Sequence, residues 1–101
     1  MNIGKVIRDL RVKKNLTQQQ LAESSGITQT SLSQIESGVT RPSPKTLKLV
    51  GKQLGVPEVF IYLLSIEAKD VPLSKREAYD ILFPSIEKLF STDQLPGNGH
   101  S

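Results

Sequence analysis

The sequence predicts an all-α protein, and three observations carry that prediction. Apolar residues recur at helical spacing along most of the chain, Ser and Thr stand where helices would begin, and no stretch alternates as a strand would. Ile3, Val6, Ile7 and Leu10 share one face of a first helix from about Asn2 to Lys14. Thr17 is placed to cap a second helix, Gln18 to Ser24 or Ser25, with Gln20 three residues on to close a capping box. Gly26 can end that helix in a left-handed conformation, Ile27 is expected in the core, and Thr28 caps a third helix reaching Ser37. Ser43 and Pro44 start a fourth helix that carries Leu47, Val50 and Leu54 and stops at Gly55. A fifth is expected from Glu58 to about Ala68. A sixth should start at Lys75 behind a Ser74–Glu77 capping box, be kinked or split by Pro84, and keep its apolar pattern to Phe90.

A chain of 101 residues supports one domain with a modest core. It has no cysteine, so disulfides and thiolate metal sites are excluded; the lone histidine, His100, lies in a Gly/Asn/Ser tail. No apolar run approaches the roughly 18 residues of a membrane span, and no signal-peptide core opens the chain. A cytoplasmic protein is expected. There is no glycine-rich phosphate loop and no paired carboxylate of catalytic spacing, so the sequence predicts neither an enzyme nor a cofactor.

Charge is unevenly distributed. Residues 1–55 carry nine Lys and Arg against three Asp and Glu, whereas residues 56–101 carry four against seven. A basic first half suits a polyanion, and the acidic second half would be kept away from it. The third helix sharpens this reading. With Gln29 at zero and about 100° per residue, Ser33, Thr30 and Gln34 fall near 40°, 100° and 140°, opposite Leu32 and Ile35. The outward face is therefore all neutral hydrogen-bonding groups, where a merely solvated helix favours Lys and Glu. Glutamine matches base edges in a major groove with both ends of its amide. Gln18, in the first turn of the second helix, is placed for a phosphate near unpaired backbone N–H groups, although Gln is also an ordinary helix former.

The stretch Leu16-Thr17-Gln18-Gln19-Gln20-Leu21-Ala22, then Gly26-Ile27-Thr28-Gln29, Ile35-Glu36-Ser37-Gly38 and Arg41-Pro42-Ser43, resembles the Cro/CI-type (Xre-like) helix-turn-helix of phage repressors and bacterial regulators. The resemblance covers about residues 3–66 and rests on these motifs occurring together at the expected spacing. It implies a five-helix lambda-repressor-like domain whose third helix enters the major groove of double-stranded DNA. It implies base contacts from Gln29, Thr30, Ser33 and Gln34, and phosphate contacts from Gln18, Thr28, Thr40, Arg41 and Lys45. It also pairs Arg11 with Glu36 as scaffold.

Residues 1–68 are thus expected to form the DNA-binding domain, 69–90 a helical extension and 91–101 a disordered tail. In the extension, Tyr79, Ile81, Leu82, Ile86, Leu89 and Phe90 could enlarge the core or form the seam of a homodimer on an inverted repeat. The function expected is a transcriptional regulator, a repressor acting at an operator close to the nucleoid. The alternative is an adaptor or antitoxin-like protein that binds a protein partner through its C-terminal helix.

Overall fold

The structure, a computed structural model, describes residues 1–89. Phe90, the expected tail at 91–101 and His100 lie outside the described residues. Six α-helices follow in order: α1 (Ile3–Lys13), α2 (Gln18–Ser25), α3 (Gln29–Glu36), α4 (Pro44–Leu54), α5 (Glu58–Ser65) and α6 (Arg76–Leu89). Short 3-10 turns at Ala68–Asp70 and Leu73–Lys75 precede α6, and no strand occurs among the described residues. The fold is all-helical, as the periodicity predicts.

Packing divides the chain into two units, Met1–Ser65 and a second beginning at Ile66. The first unit holds the core. Ile7, Leu21, Leu32, Leu47, Val50 and Ile61 are fully buried, one or two from each of the five helices. Each such side chain contributes about 1.5–3 kcal/mol by leaving water. Every helix start from α1 to α4 has a side-chain cap: Asn2, Thr17, Thr28 and Ser43 each accept a backbone N–H from the first turn. Thr17 and Gln20 complete the reciprocal box, with N–H···O distances of 3.0 and 2.9 Å. Gly26 and Gly55 end α2 and α4 at φ 73°, a conformation that costs glycine no Cβ clash. Ile27, expected in the core, is only half-buried; its N–H closes the α2 terminus on the Ala22 carbonyl at 3.0 Å.

The fifth helix ends at Ser65, short of the expected Ala68. The Ser65 carbonyl accepts the Asn2 N–H at 2.8 Å, which ties the end of α5 to the start of α1. Beyond it Glu67 is extended, and its N–H is taken by the Asp70 carboxylate at 2.8 Å, a local bond that competes with helix continuation.

In the second unit, Ser74 lies inside a 3-10 turn instead of capping a helix, because the Lys75 N–H already bonds the Pro72 carbonyl at 2.8 Å. The sixth helix accordingly begins at Arg76. It runs through Pro84 without being split. The carbonyl left without its usual partner is that of Asp80, an exposed residue whose backbone water can reach. Tyr79 stacks on Phe83 with ring centroids 4.9 Å apart, and its hydroxyl donates to the Ile66 carbonyl at 3.2 Å.

The approach of α1 to α3 depends on Gly4, which is buried. A Cβ there would run into the carbonyl oxygens of Ile35 and Glu36. Gly4→Ala is expected to destabilise the fold by about 1–3 kcal/mol. A lowered urea midpoint with an unchanged slope would register it.

Candidate nucleic-acid interface

The candidate interface is built from α2, α3 and the chain that follows. Only Gly26, Ile27 and Thr28 separate the two helices. Gly26 reverses the chain, and Thr28 Oγ1 then accepts the Ser31 N–H at 3.0 Å, which starts α3 in a new direction. Leu32 and Ile35 turn into the core. Gln29, Thr30, Ser33 and Gln34 are all exposed, so the wheel's division into buried and outward faces holds in three dimensions. The same ridge continues to Ser37, which is exposed and donates from Oγ to the Gln34 carbonyl at 3.2 Å. Continuing the 100° steps one turn past Ser33 finds Ser37, which the sequence reading left out.

The helix is fixed in place by Glu36. Its carboxylate takes Arg11 in a bidentate pair, Nε to Oε2 at 2.7 Å and Nη2 to Oε1 at 3.0 Å. The side chains are only 12% and 3% exposed. The remaining terminal nitrogen of Arg11, Nη1, donates to the Leu16 carbonyl at 2.7 Å. Gln18 Nε2 donates to Glu36 Oε1 at 3.0 Å. Glu36 thus ties α1, α2 and α3, and Arg11 extends the network to the turn before α2. The Gln18 amide nitrogen is committed to this network, which sequence spacing alone did not reveal. Nothing in a one-dimensional pattern says that a first-turn residue of α2 reaches the last turn of α3.

The remaining candidates are spread along the chain that leaves α3. Gly38, Val39 and Thr40 donate their N–H groups to the carbonyls of Ile35, Gln34 and Gln34, at 3.1, 2.9 and 3.1 Å, so this loop is pinned to the helix end. Thr40 and Arg41 are exposed, and Arg41 Nη2 lies 3.8 Å from Met1 Sδ. Lys45 is exposed in the first turn of α4, where Pro44 has no N–H and Ser43 Oγ holds the Thr46 N–H at 3.1 Å. The first turns of α2, α3 and α4 each present backbone N–H groups with no intrahelical acceptor, the electropositive end that an anion favours.

Two short helices joined by a tight turn, the second with an exposed polar face, define a helix-turn-helix domain. A helix-turn-helix family model matches residues 7–61. The chain is 33% identical over 93 residues to the HTH-type transcriptional repressor RghR of Bacillus subtilis, covering 79% of this chain and 69% of that protein. It is 32% identical over 98 residues to an uncharacterized HTH-type transcriptional regulator of the same organism, RghRB, covering 96% and 70%. It is also 39% identical over 56 residues to the HTH-type transcriptional activator BcrR of Enterococcus faecalis. There the match covers 55% of this chain but only 28% of the activator's length. No solved structure matches the chain significantly. The chain belongs to the Cro/CI-type (Xre) helix-turn-helix family of DNA-binding, non-enzymatic transcriptional regulators. The likeness to RghRB runs into the second unit, well past the stretch that the motifs cover.

Glu36→Gln leaves the Arg11 guanidinium desolvated without its counter-charge and is expected to cost about 3–5 kcal/mol. Replacing both partners with methionine should be far less damaging than the sum of the single changes. Urea unfolding of the two single variants and the double variant checks this.

Proposed function

We propose that the chain is a sequence-specific repressor that inserts α3 into the major groove and occupies its operator as a homodimer. The observation that carries this reading is the exposed, neutral, hydrogen-bonding ridge of Gln29, Thr30, Ser33 and Gln34. Behind it stand two fully or nearly fully buried side chains and a bidentate ion pair. Base edges require donors and acceptors held at fixed positions, and this helix is held. The cations stand outside the ridge, as Arg41 and Lys45, where phosphates pass. Thr28 keeps a hydroxyl hydrogen for a phosphate while its oxygen caps α3, and Thr40 supplies another hydroxyl. Gln18 contributes through its backbone N–H at the start of α2, since its amide nitrogen serves Glu36.

Repression follows from occupancy, which needs no further domain to act, and RghR carries that name. The dimer is supported by the pattern of α6. At 100° per residue, Tyr79, Leu82, Phe83, Ile86 and Leu89 share one side, and Glu77, Asp80 and Glu87 the other. None of the α6 residues is buried; Leu82 and Leu89 are 60% and 64% exposed. A second copy would cover this apolar side and bring two reading helices to an inverted repeat. A protein partner on the same side is the second reading, favoured by the same exposed leucines. No described helix is long and apolar enough to cross a membrane, and a place beside the chromosome suits the function.

Fluorescence anisotropy on a duplex selected from a randomised library is expected to show salt-dependent binding with sequence preference. Gln29→Ala should lose about 1–3 kcal/mol of discrimination at one base pair while keeping its salt dependence. Arg41→Ala should weaken binding to all sequences and reduce the salt slope by about one. A chain that binds no duplex at low salt would sink the proposal.

Light scattering coupled to size exclusion is expected to give a dimer for the full chain and a monomer for Leu82→Asp. A monomeric wild type would instead leave the apolar side to a different protein.

A further inference from the structure

Among the apolar side chains of the first unit, Val39 is the most exposed, at 75%. A single exposed valine on a surface needs no explanation by itself. The position of this one does. It follows Gly38, whose φ of 83° turns the chain out of α3. Its own N–H and that of Thr40 both close on the carbonyl of Gln34, at 2.9 and 3.1 Å. The segment is therefore not a loose loop. Val39 is held against the backbone of Gln34, one of the residues of the exposed ridge. The neighbouring ridge and loop residues, Ser33, Gln34, Ser37, Thr40 and Arg41, are polar or charged and exposed. Along the chain Val39 falls between the residues placed on bases and those placed on phosphates.

In the major groove, the one apolar group at the same boundary is the C5-methyl of thymine, which stands on the groove wall beside its own sugar and phosphate. We infer that Val39 is a specificity-determining residue that packs its methyl groups on a thymine C5-methyl at the edge of the base pairs read by α3. The inference rests on the groove-reading function proposed above. It adds a purely apolar contact next to Gln34, whereas the only methyl group on the ridge itself belongs to Thr30. Held by three backbone hydrogen bonds in the Gly38–Thr40 segment, the valine loses little freedom on docking, so a small apolar contact is not offset by ordering.

The test uses the full chain and the tightest duplex selected by the wild type from a randomised library. Each thymine is replaced in turn by uracil, which removes the methyl group and leaves the pairing and sugar in place. The wild type is expected to lose affinity roughly three- to fivefold at one thymine beside the Gln34-dependent positions, the worth of one buried methyl. Val39→Ala should bind the unmodified duplex correspondingly more weakly and be indifferent to uracil at that position. Val39→Ile should restore the sensitivity. Thermal unfolding of both variants should match the wild type, since the side chain is exposed. If Val39→Ala responds to uracil at every position as the wild type does, Val39 reads no thymine and the inference is overturned, with groove reading intact. If weakened binding is equally indifferent to uracil in the wild type, the contact is to sugar and the thymine assignment falls. If the selection yields no preferred sequence at all, the groove-reading proposal itself fails and takes this one with it.

Discussion

The interaction on which the structure depends is the bidentate pair between Arg11 and Glu36. Burying a guanidinium and a carboxylate costs more desolvation than an apolar pair of the same size, so stability alone does not explain it. Geometry does. Leu32 and Ile35, packing α3 against the core, would tolerate small rotations of the helix about its axis. Two parallel N–H···O bonds at 2.7 and 3.0 Å do not, and the Gln18 and Leu16 bonds brace the same two side chains from α2 and from the turn before it. Rotating α3 by one residue would move its ridge by about 100° and present Leu32 or Glu36 outward. Among its eight residues α3 buries only Leu32 and Ile35, and the polar clamp adds a directional constraint on its rotation to that apolar packing.

The helices, their caps and their order were legible in the sequence because each depends on neighbours in the chain. Thr17 with Gln20, Thr28, and Ser43 with Pro44 are local signals: the side chain that satisfies the first turn lies within three residues of it. Gly26 and Gly55 are equally local. The division of α3 into buried and exposed faces follows from a period of 3.6 and needs no tertiary information. What failed were ends fixed by distant partners. The stop of α5 at Ser65 involves the amide of Asn2, at the other end of the unit, and no window around residue 65 contains that bond. Ile27 looked like core because it is apolar and follows a helix end, yet its side chain is only half-buried while its N–H bonds back to Ala22.

The candidate site was legible in composition and not in connectivity. The identity of Gln29, Thr30, Ser33 and Gln34 as an exposed set came from angular position alone. The role of Gln18 did not, because its contact with Glu36 spans eighteen residues and three elements of structure. The second unit was least legible. Its motifs fall outside the family pattern; of the kink or split expected at Pro84, the split does not occur, because an exposed helix can lose one N–H bond to water and continue.

These features together separate affinity from specificity. The exposed α3 ridge of Gln29, Thr30, Ser33 and Gln34 carries no cation; in the proposed function, attraction to any duplex comes from cations outside it, among them Arg41 and Lys45. Phosphate attraction is the same for every sequence and falls with salt; amide and hydroxyl contacts depend on the base and carry little salt dependence. A protein with lysines on α3 would bind non-specific DNA more tightly and lose ground against the many competing sites of a chromosome. Leaving the ridge neutral lowers that competition. It also demands that the ridge be rigid, since neutral hydrogen bonds contribute to discrimination only when donors and acceptors are already aimed. In the proposed groove-reading function, the buried Arg11–Glu36 pair therefore supplies the rigidity that a neutral α3 face requires.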